Sequence, residues 1–200
     1  MPEYLQYALE SEALILGERI KGGVFRPSCK TLRWSTITMA LRKFFGSKDI
    51  HAVGIFEPEP ETSYFVYSPA ERATGISKIP LQVEVLNDVK GKVYIVKNDE
   101  INFPEEFEIF LGALISKGFG RCNLEYEGEI NNIERTEGIL NTRIPIKYKD
   151  KFLIEERDKS VYGYLFEPTS ETSGIYIKSL FEGSEVVGPK FLLRREEWTK

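Results

Sequence analysis

From Tyr4 to Leu16 apolar and polar residues alternate, rich in Leu, Tyr and Ile, which predicts a long first strand. Gly17 to Thr31 breaks the pattern with Gly22-Gly23 and Pro27 and reads as a loop. Leu32 to Phe45 then places Ile37, Ala40, Leu41, Phe44 and Phe45 on one helical face, and Gly46 is a natural stop. His51 to Phe56 is a short apolar strand. Glu57 to Pro80, with Pro58, Pro60, Pro69 and Pro80, reads as an excursion carrying one strand at Tyr64 to Tyr67. Leu81–Leu86 and Lys92–Val96 alternate on either side of Asn87-Asp88-Val89-Lys90-Gly91, which predicts a hairpin. Pro104 and the acidic Glu105, Glu106 and Glu108 open a second predicted helix, whose stripe is Phe107, Phe110, Leu111, Leu114 and Ile115. Gly118-Phe119-Gly120 ends it, and Arg121 to Ile130 alternates as a strand.

The remaining seventy residues hold no helix signal. Strands are predicted at Leu140–Tyr148, Phe152–Glu156, Val161–Phe166, Ile175–Leu180 and Phe191–Arg194. The fold class expected is therefore α+β. With the excursion set aside, the order βαββαβ is the ferredoxin-like, RRM-like arrangement. Residues 1–130 would form that core, with 57–80 as a thumb-like insertion and 131–200 as a β-rich C-terminal extension packed on it.

Composition changes this picture in two ways. The apolar fraction of 42% is enough for a core, and the longest apolar runs are too short to cross a bilayer. The start Met1-Pro2-Glu3-Tyr4 lacks the basic and apolar regions of a signal peptide, so a soluble, cytoplasmic protein without membrane partners is expected. Cys29 and Cys122 show no C-x-x-C spacing, and His51 is the single histidine. No metal site and no cofactor are expected, and a hydrolase triad is disfavoured. The net charge is −4, but its distribution is uneven. Between Gly17 and Gly46 stand Arg19, Lys21, Arg26, Lys30, Arg33, Arg42 and Lys43 against Glu18 alone, a basic segment on an acidic body.

The segment Lys117-Gly118-Phe119-Gly120-Arg121 carries the second candidate chemistry. Glycines let backbone amides approach a phosphate, Lys117 and Arg121 add charge, and Phe119 offers a face to a base. The plainer reading is a helix C-cap at Gly118. A dinucleotide or P-loop fingerprint is excluded by order, since those motifs run from strand into helix and need further residues missing here.

These features together resemble the RAMP superfamily of CRISPR-associated RNA-binding proteins. Leu14-Ile15-Leu16-Gly17-Glu18-Arg19, followed by Thr31-Leu32-Arg33-Trp34-Ser35-Thr36-Ile37-Thr38-Met39-Ala40-Leu41, is similar to the first strand and helix of subunits that cap the 5′ handle of the guide in type III and type IV effector complexes. The glycine turn here is shorter than the run many members carry, the next glycine being Gly128. The resemblance implies a non-catalytic subunit of an antiviral ribonucleoprotein, with CRISPR guide RNA and other effector subunits as partners. Its expected RNA-binding residues are Arg19, Lys21, Arg26, Lys30, Arg33, Arg42, Lys117, Gly118, Phe119, Gly120 and Arg121. Two other classes stay open. One is a metal-independent endoribonuclease using His51 as general base on a 2′-hydroxyl. The other is a protein-interaction module without RNA. Trp34 is read either as a base-stacking ring or as a core plug, and the acidic pairs Glu105-Glu106 and Glu155-Glu156 as solvated.

Overall fold

The structure is a computed structural model that describes residues 3–18, 23–71, 73–170 and 173–194. Arg19 and Lys21 lie outside the described residues. Strand β1 (Tyr4–Leu14) buries alternate residues as its pattern predicts. After the two-residue β2 (Phe25–Arg26), helix α1 (Trp34–Phe45) buries Trp34, Ile37, Thr38 and Leu41 and stops at Gly46, whose φ of +67° suits glycine. Phe44, expected in the stripe, is half exposed. Thr38 pins the helix to β3 (Ala52–Phe56): its hydroxyl donates to the Ala52 carbonyl and accepts from the Ala52 amide.

The excursion holds β4 (Glu61–Tyr67), and the predicted hairpin after it is instead one strand, β5 (Leu81–Val96). Residues Asn87 to Gly91 form an irregularity inside this strand, with Asp88 at φ +47°, not a reversal. Two facts explain the difference. β1 pairs with β5 from Leu86 to Val96, across the whole of the expected turn, and Gly91 serves close approach rather than a turn. A Cβ on Gly91 would stand 2.3 Å from the Ile55 carbonyl oxygen of β3.

The second predicted helix is also overturned. Glu106–Phe110 is a strand, β6, and Ile115–Lys117 a single 3-10 turn, before β7 (Arg121–Ile130). Phe107, Ile109 and Leu111 are buried, an alternation that the helical spacing of Phe107, Phe110 and Leu111 masks. Gly112, at φ +80°, lies against the Ile15 carbonyl and prevents a helix from continuing. Only the first half of the expected βαββαβ order is therefore helical where predicted. β1 and β5 are antiparallel, as are β5 and β3, so α1 links two parallel strands with β5 between them. β7 and β6 extend the sheet beyond β1, giving the order β6-β7-β1-β5-β3, while β2 and β4 flank the protruding start of β5.

The C-terminal residues form two three-stranded sheets. One joins β8 (Arg135–Ile139), β10 (Glu155–Glu156) and β13 (Glu185–Pro189). The other joins β9 (Ile144–Pro145), β11 (Tyr162–Pro168) and β12 (Gly174–Leu180). β11 and β12 stand close to their predicted places. The strand expected over 140–148 shrinks to the two residues of β9, after which Pro145 leads into a 3-10 turn, Ile146–Phe152, and the strand expected over 191–194 is interrupted by the turn Lys190–Leu192. One core lies under α1 with Leu5, Tyr7 and Leu9 of β1. A second joins Tyr4, Val53, Ile55 and Tyr94 on the opposite sheet face to Trp34 and the C-terminal strands.

Candidate nucleic-acid interface

The two candidate segments converge on the last residues of β1 and the stretch that follows. The Gly120 amide donates to the Ala13 carbonyl and the Ala113 amide to that of Ile15. Leu16 accepts from Cys29, and the Arg33 guanidinium donates to the Gly17 carbonyl at 3.0 Å. Residues 13–17 thus carry the glycine turn on one side and the basic segment on the other.

Within the turn, the glycines have local causes. Gly118 is left-handed at φ +93°, with its amide bonded to the Ile115 carbonyl. A Cβ on Gly120 would stand 2.3 Å from the Leu111 oxygen. The amides of Lys117, Gly118 and Gly120 are all used internally, so the backbone offers a phosphate little. Phe119 is half-buried, edge-to-face against Phe65 of β4 at 5.1 Å, which anchors the turn. The cation that the turn presents outward is Lys117, exposed beside Ile115 and Ser116.

The cations of the basic segment fall into separate roles. Lys30 pairs with Glu84 at 3.0 Å, and Arg26 lies on β2 against β5. Arg33 is half-buried at the helix start, bonded to Thr36 and Gly17. Arg42 is not part of the cluster. It stands at the far end of α1, donating to the Ile50 carbonyl, pairing with Glu167 at 3.4 Å and lying over the Trp34 ring. Trp34 is fully buried and is a core plug. Arg121 points onto the open face of the main sheet, where Glu108 holds it.

That open face is acidic. By register Glu10, Asn123 and Glu108 share it with Glu125 and Glu106, beside Lys90, Lys92 and Arg121. Each of those cations has a carboxylate: Lys90 with Glu10, Lys92 with Glu127, Arg121 with Glu108. A phosphate backbone laid there would meet unpaired carboxylates. That face is therefore ill suited to an RNA backbone.

Sequence reasoning missed a different region. Arg143, just before β9, is nearly buried, forked onto Glu182 through two 2.6 Å bonds and paired with Glu18 at 2.6 Å. Its guanidinium lies 4.3 Å from the centre of the Phe181 ring, and its carbonyl accepts the first amide of α1. Burial opposes charge on both partners, yet the hydrogen bonds win: Arg143 is held above its ordinary range and Glu18 below its own. Above this pair runs a groove of about 790 Å³, walled by Gly17, Arg33 and Thr36 on one side and by Tyr164, Phe166 and Tyr176 on the other. The alternation of β11 is legible as a strand, but nothing in it marks which face meets solvent.

His51 is 5% exposed, edge-to-face with Tyr148 at 4.4 Å, and its Nε2 stands 3.7 Å from Asp49. Burial first, and then the positive charges of Lys151 and Arg42, bring its pKa down to about 4. Such a group is neutral at pH 7 but a weak base. Among the described residues no cluster of His, Cys, Asp and Glu could hold a metal ion, and no helix is long and apolar enough to cross a membrane.

No protein-family model matches the chain, and no curated protein does. Among solved structures it is similar to a chain of the type III-B Cmr-beta cryo-EM structure bound to cognate target RNA and AMPPnP. The TM-score is 0.55 at 13% identity, covering 92% of this chain and 86% of that one. At this identity the likeness is one of fold. The α+β architecture is shared with that chain over 92% of this one.

Proposed function

We propose that this chain is a non-catalytic RNA-binding subunit of a CRISPR effector complex, holding the 5′ handle of the guide RNA. The observation that carries the reading is the convergence of Lys117, Gly17 and Arg33 on the end of β1. Two sequence-distant basic elements meet at one rim, beside an acidic sheet face that repels phosphate. The shared fold with a chain of an RNA-bound effector structure supports it. In this reading cationic side chains contact phosphates and the glycine turn sets their position. Arg42 and Phe119 serve the scaffold. The C-terminal sheets, residues 131–200, act as one extension packed on the core, and the acidic surfaces meet neighbouring subunits. The burial and lowered pKa of His51 count against the endoribonuclease reading.

Filter binding of single-stranded RNA at two salt concentrations tests the proposal. Binding should weaken steeply with salt, and Lys117→Ala with Arg33→Ala should reduce the slope by about one for each phosphate left without its cation. Absent or salt-independent binding sinks the reading. Cleavage of repeat RNA by the wild type and not by His51→Ala would replace it with the nuclease.

A further inference from the structure

The ribbon of β11 and β12 carries an outward row of aromatic side chains. Tyr162, Tyr164 and Phe166 share one face, opposite Leu180, Lys178 and Tyr176. Tyr162 is 46% exposed, Tyr164 66%, Phe166 45% and Tyr176 51%. Large aromatics on that scale are ordinarily buried, and four on one ribbon face mark a binding surface. The ribbon is shaped for it. A Cβ on Gly174 would stand 2.3 Å from the Phe166 ring, so that ring lies over a position kept clear. The inner face repeats the device, with Gly163 clearing space for Phe181.

We infer that this row is a stacking platform for the bases of a single-stranded RNA whose phosphates run along the Arg33 side of the groove. Spacing and charge both favour this occupant. Residues two apart on a strand stand about 6.8 Å apart. That is about twice the 3.4 Å rise of stacked bases, so the repeat of the row is commensurate with a stacked strand. The carboxylate beside the rings is already paired: Glu156, which accepts from the Tyr162 hydroxyl at 2.7 Å, is held by Lys149. Lys178 extends its ammonium to 4.0 Å from the Tyr162 ring, and Arg33 lines the opposite wall. Glu18, the carboxylate lining the groove, is committed to Arg143. A row of rings with cations beside it and its wall carboxylate neutralised suits an anionic, aromatic strand. The groove opens at Gly17 and Arg33, so the inference rests on the RNA-binding reading and extends it from phosphates to bases.

The test uses the full chain and a single-stranded RNA bearing a fluorescent adenine analogue. Wild type should quench the analogue on binding. The triple variant Tyr164→Ala, Phe166→Ala, Tyr176→Ala should lose affinity by about tenfold per ring, with the salt slope unchanged. Tyr164→Leu, a swap at a solvent-exposed position that keeps apolar bulk without a flat ring, guards against loss of folding. It should keep the wild-type melting temperature and reduce quenching. If wild type binds RNA and both variants bind and quench equally well, the platform is overturned while the RNA-binding function stands. If wild type binds no RNA, that function fails and the platform with it. Unchanged RNA affinity with loss of self-association in sedimentation would assign the ribbon to a second copy and overturn the inference.

Discussion

The open face of the main sheet and the outer face of the β11–β12 ribbon are both exposed antiparallel surfaces, yet they are built from opposite materials. On the first, Glu10, Glu106, Glu108, Glu125 and Glu127 surround three cations that they neutralise. On the second, four aromatic side chains stand in solvent with Lys178 among them. The main sheet presents the less suitable surface for a phosphate backbone, and the β11–β12 ribbon the more suitable one for bases. Strand order positions surfaces without choosing which of them binds; the side chains make that choice.

The largest expected effect contrasts ion pairs on the two sides. Arg143→Ala strips the groove floor of the cation between Glu18 and Glu182 and should cost about 3–5 kcal/mol in urea denaturation. The exposed counterpart, Lys92→Ala opposite Glu127, should cost about 1 kcal/mol or less. Equal losses would erase the distinction between floor and surface. Next, Gly174→Ala drives a methyl into the Phe166 ring and the Glu167 carbonyl. It should cost about 1–3 kcal/mol in thermal melting, with a several-fold loss of RNA affinity. Unchanged affinity would mean that the Phe166 ring contributes nothing to binding.

A smaller effect separates buried from exposed titrating groups. His51 holds a folded pKa of about 4 against an ordinary 6.5, so the unfolded chain takes up its proton first on acidification. Its contribution to stability should be complete above pH 6.5 and fade as pH falls toward 4. His51→Gln should flatten melting temperature against pH across that window, and an unchanged profile would contradict it. The smallest effect is the sharpest control. Lys90→Ala with Lys92→Ala should leave RNA affinity within about twofold, since both cations are already paired. A tenfold loss would move the RNA onto the sheet.

Where pattern and burial coincide, the chain is legible. β1, α1, β3, β7 and the ribbon strands follow from alternation or helical spacing, and Gly46 marks the helix end. The misreadings share a cause. Phe107, Phe110 and Leu111 satisfy a helix as well as Phe107, Ile109 and Leu111 satisfy a strand, and only the free edge of β7 decides between them. Asn87 to Gly91 looks like a turn until β1, paired along it on one edge, holds it straight. At the site, the basic segment and glycine turn are visible as motifs, but their meeting on residues 13–17 depends on tertiary hydrogen bonds. Arg143 is invisible in the sequence because Glu18 and Glu182 lie far from it along the chain. Arg42 misleads for the converse reason: a cation on a helix looks available until Glu167, 125 positions away, claims it.

The end of β1 also has a positional meaning. Its carbonyls at Ala13 and Ile15 hold the strand-crossing residues Gly120 and Ala113, while those at Leu16 and Gly17 hold Cys29 and Arg33. Arg33 is thereby tied through Gly17 to the chain that continues from β1, the strand shared by the two longest ladders of the main sheet, so the place of this side chain is set by β5 and β7 although it touches neither ladder itself.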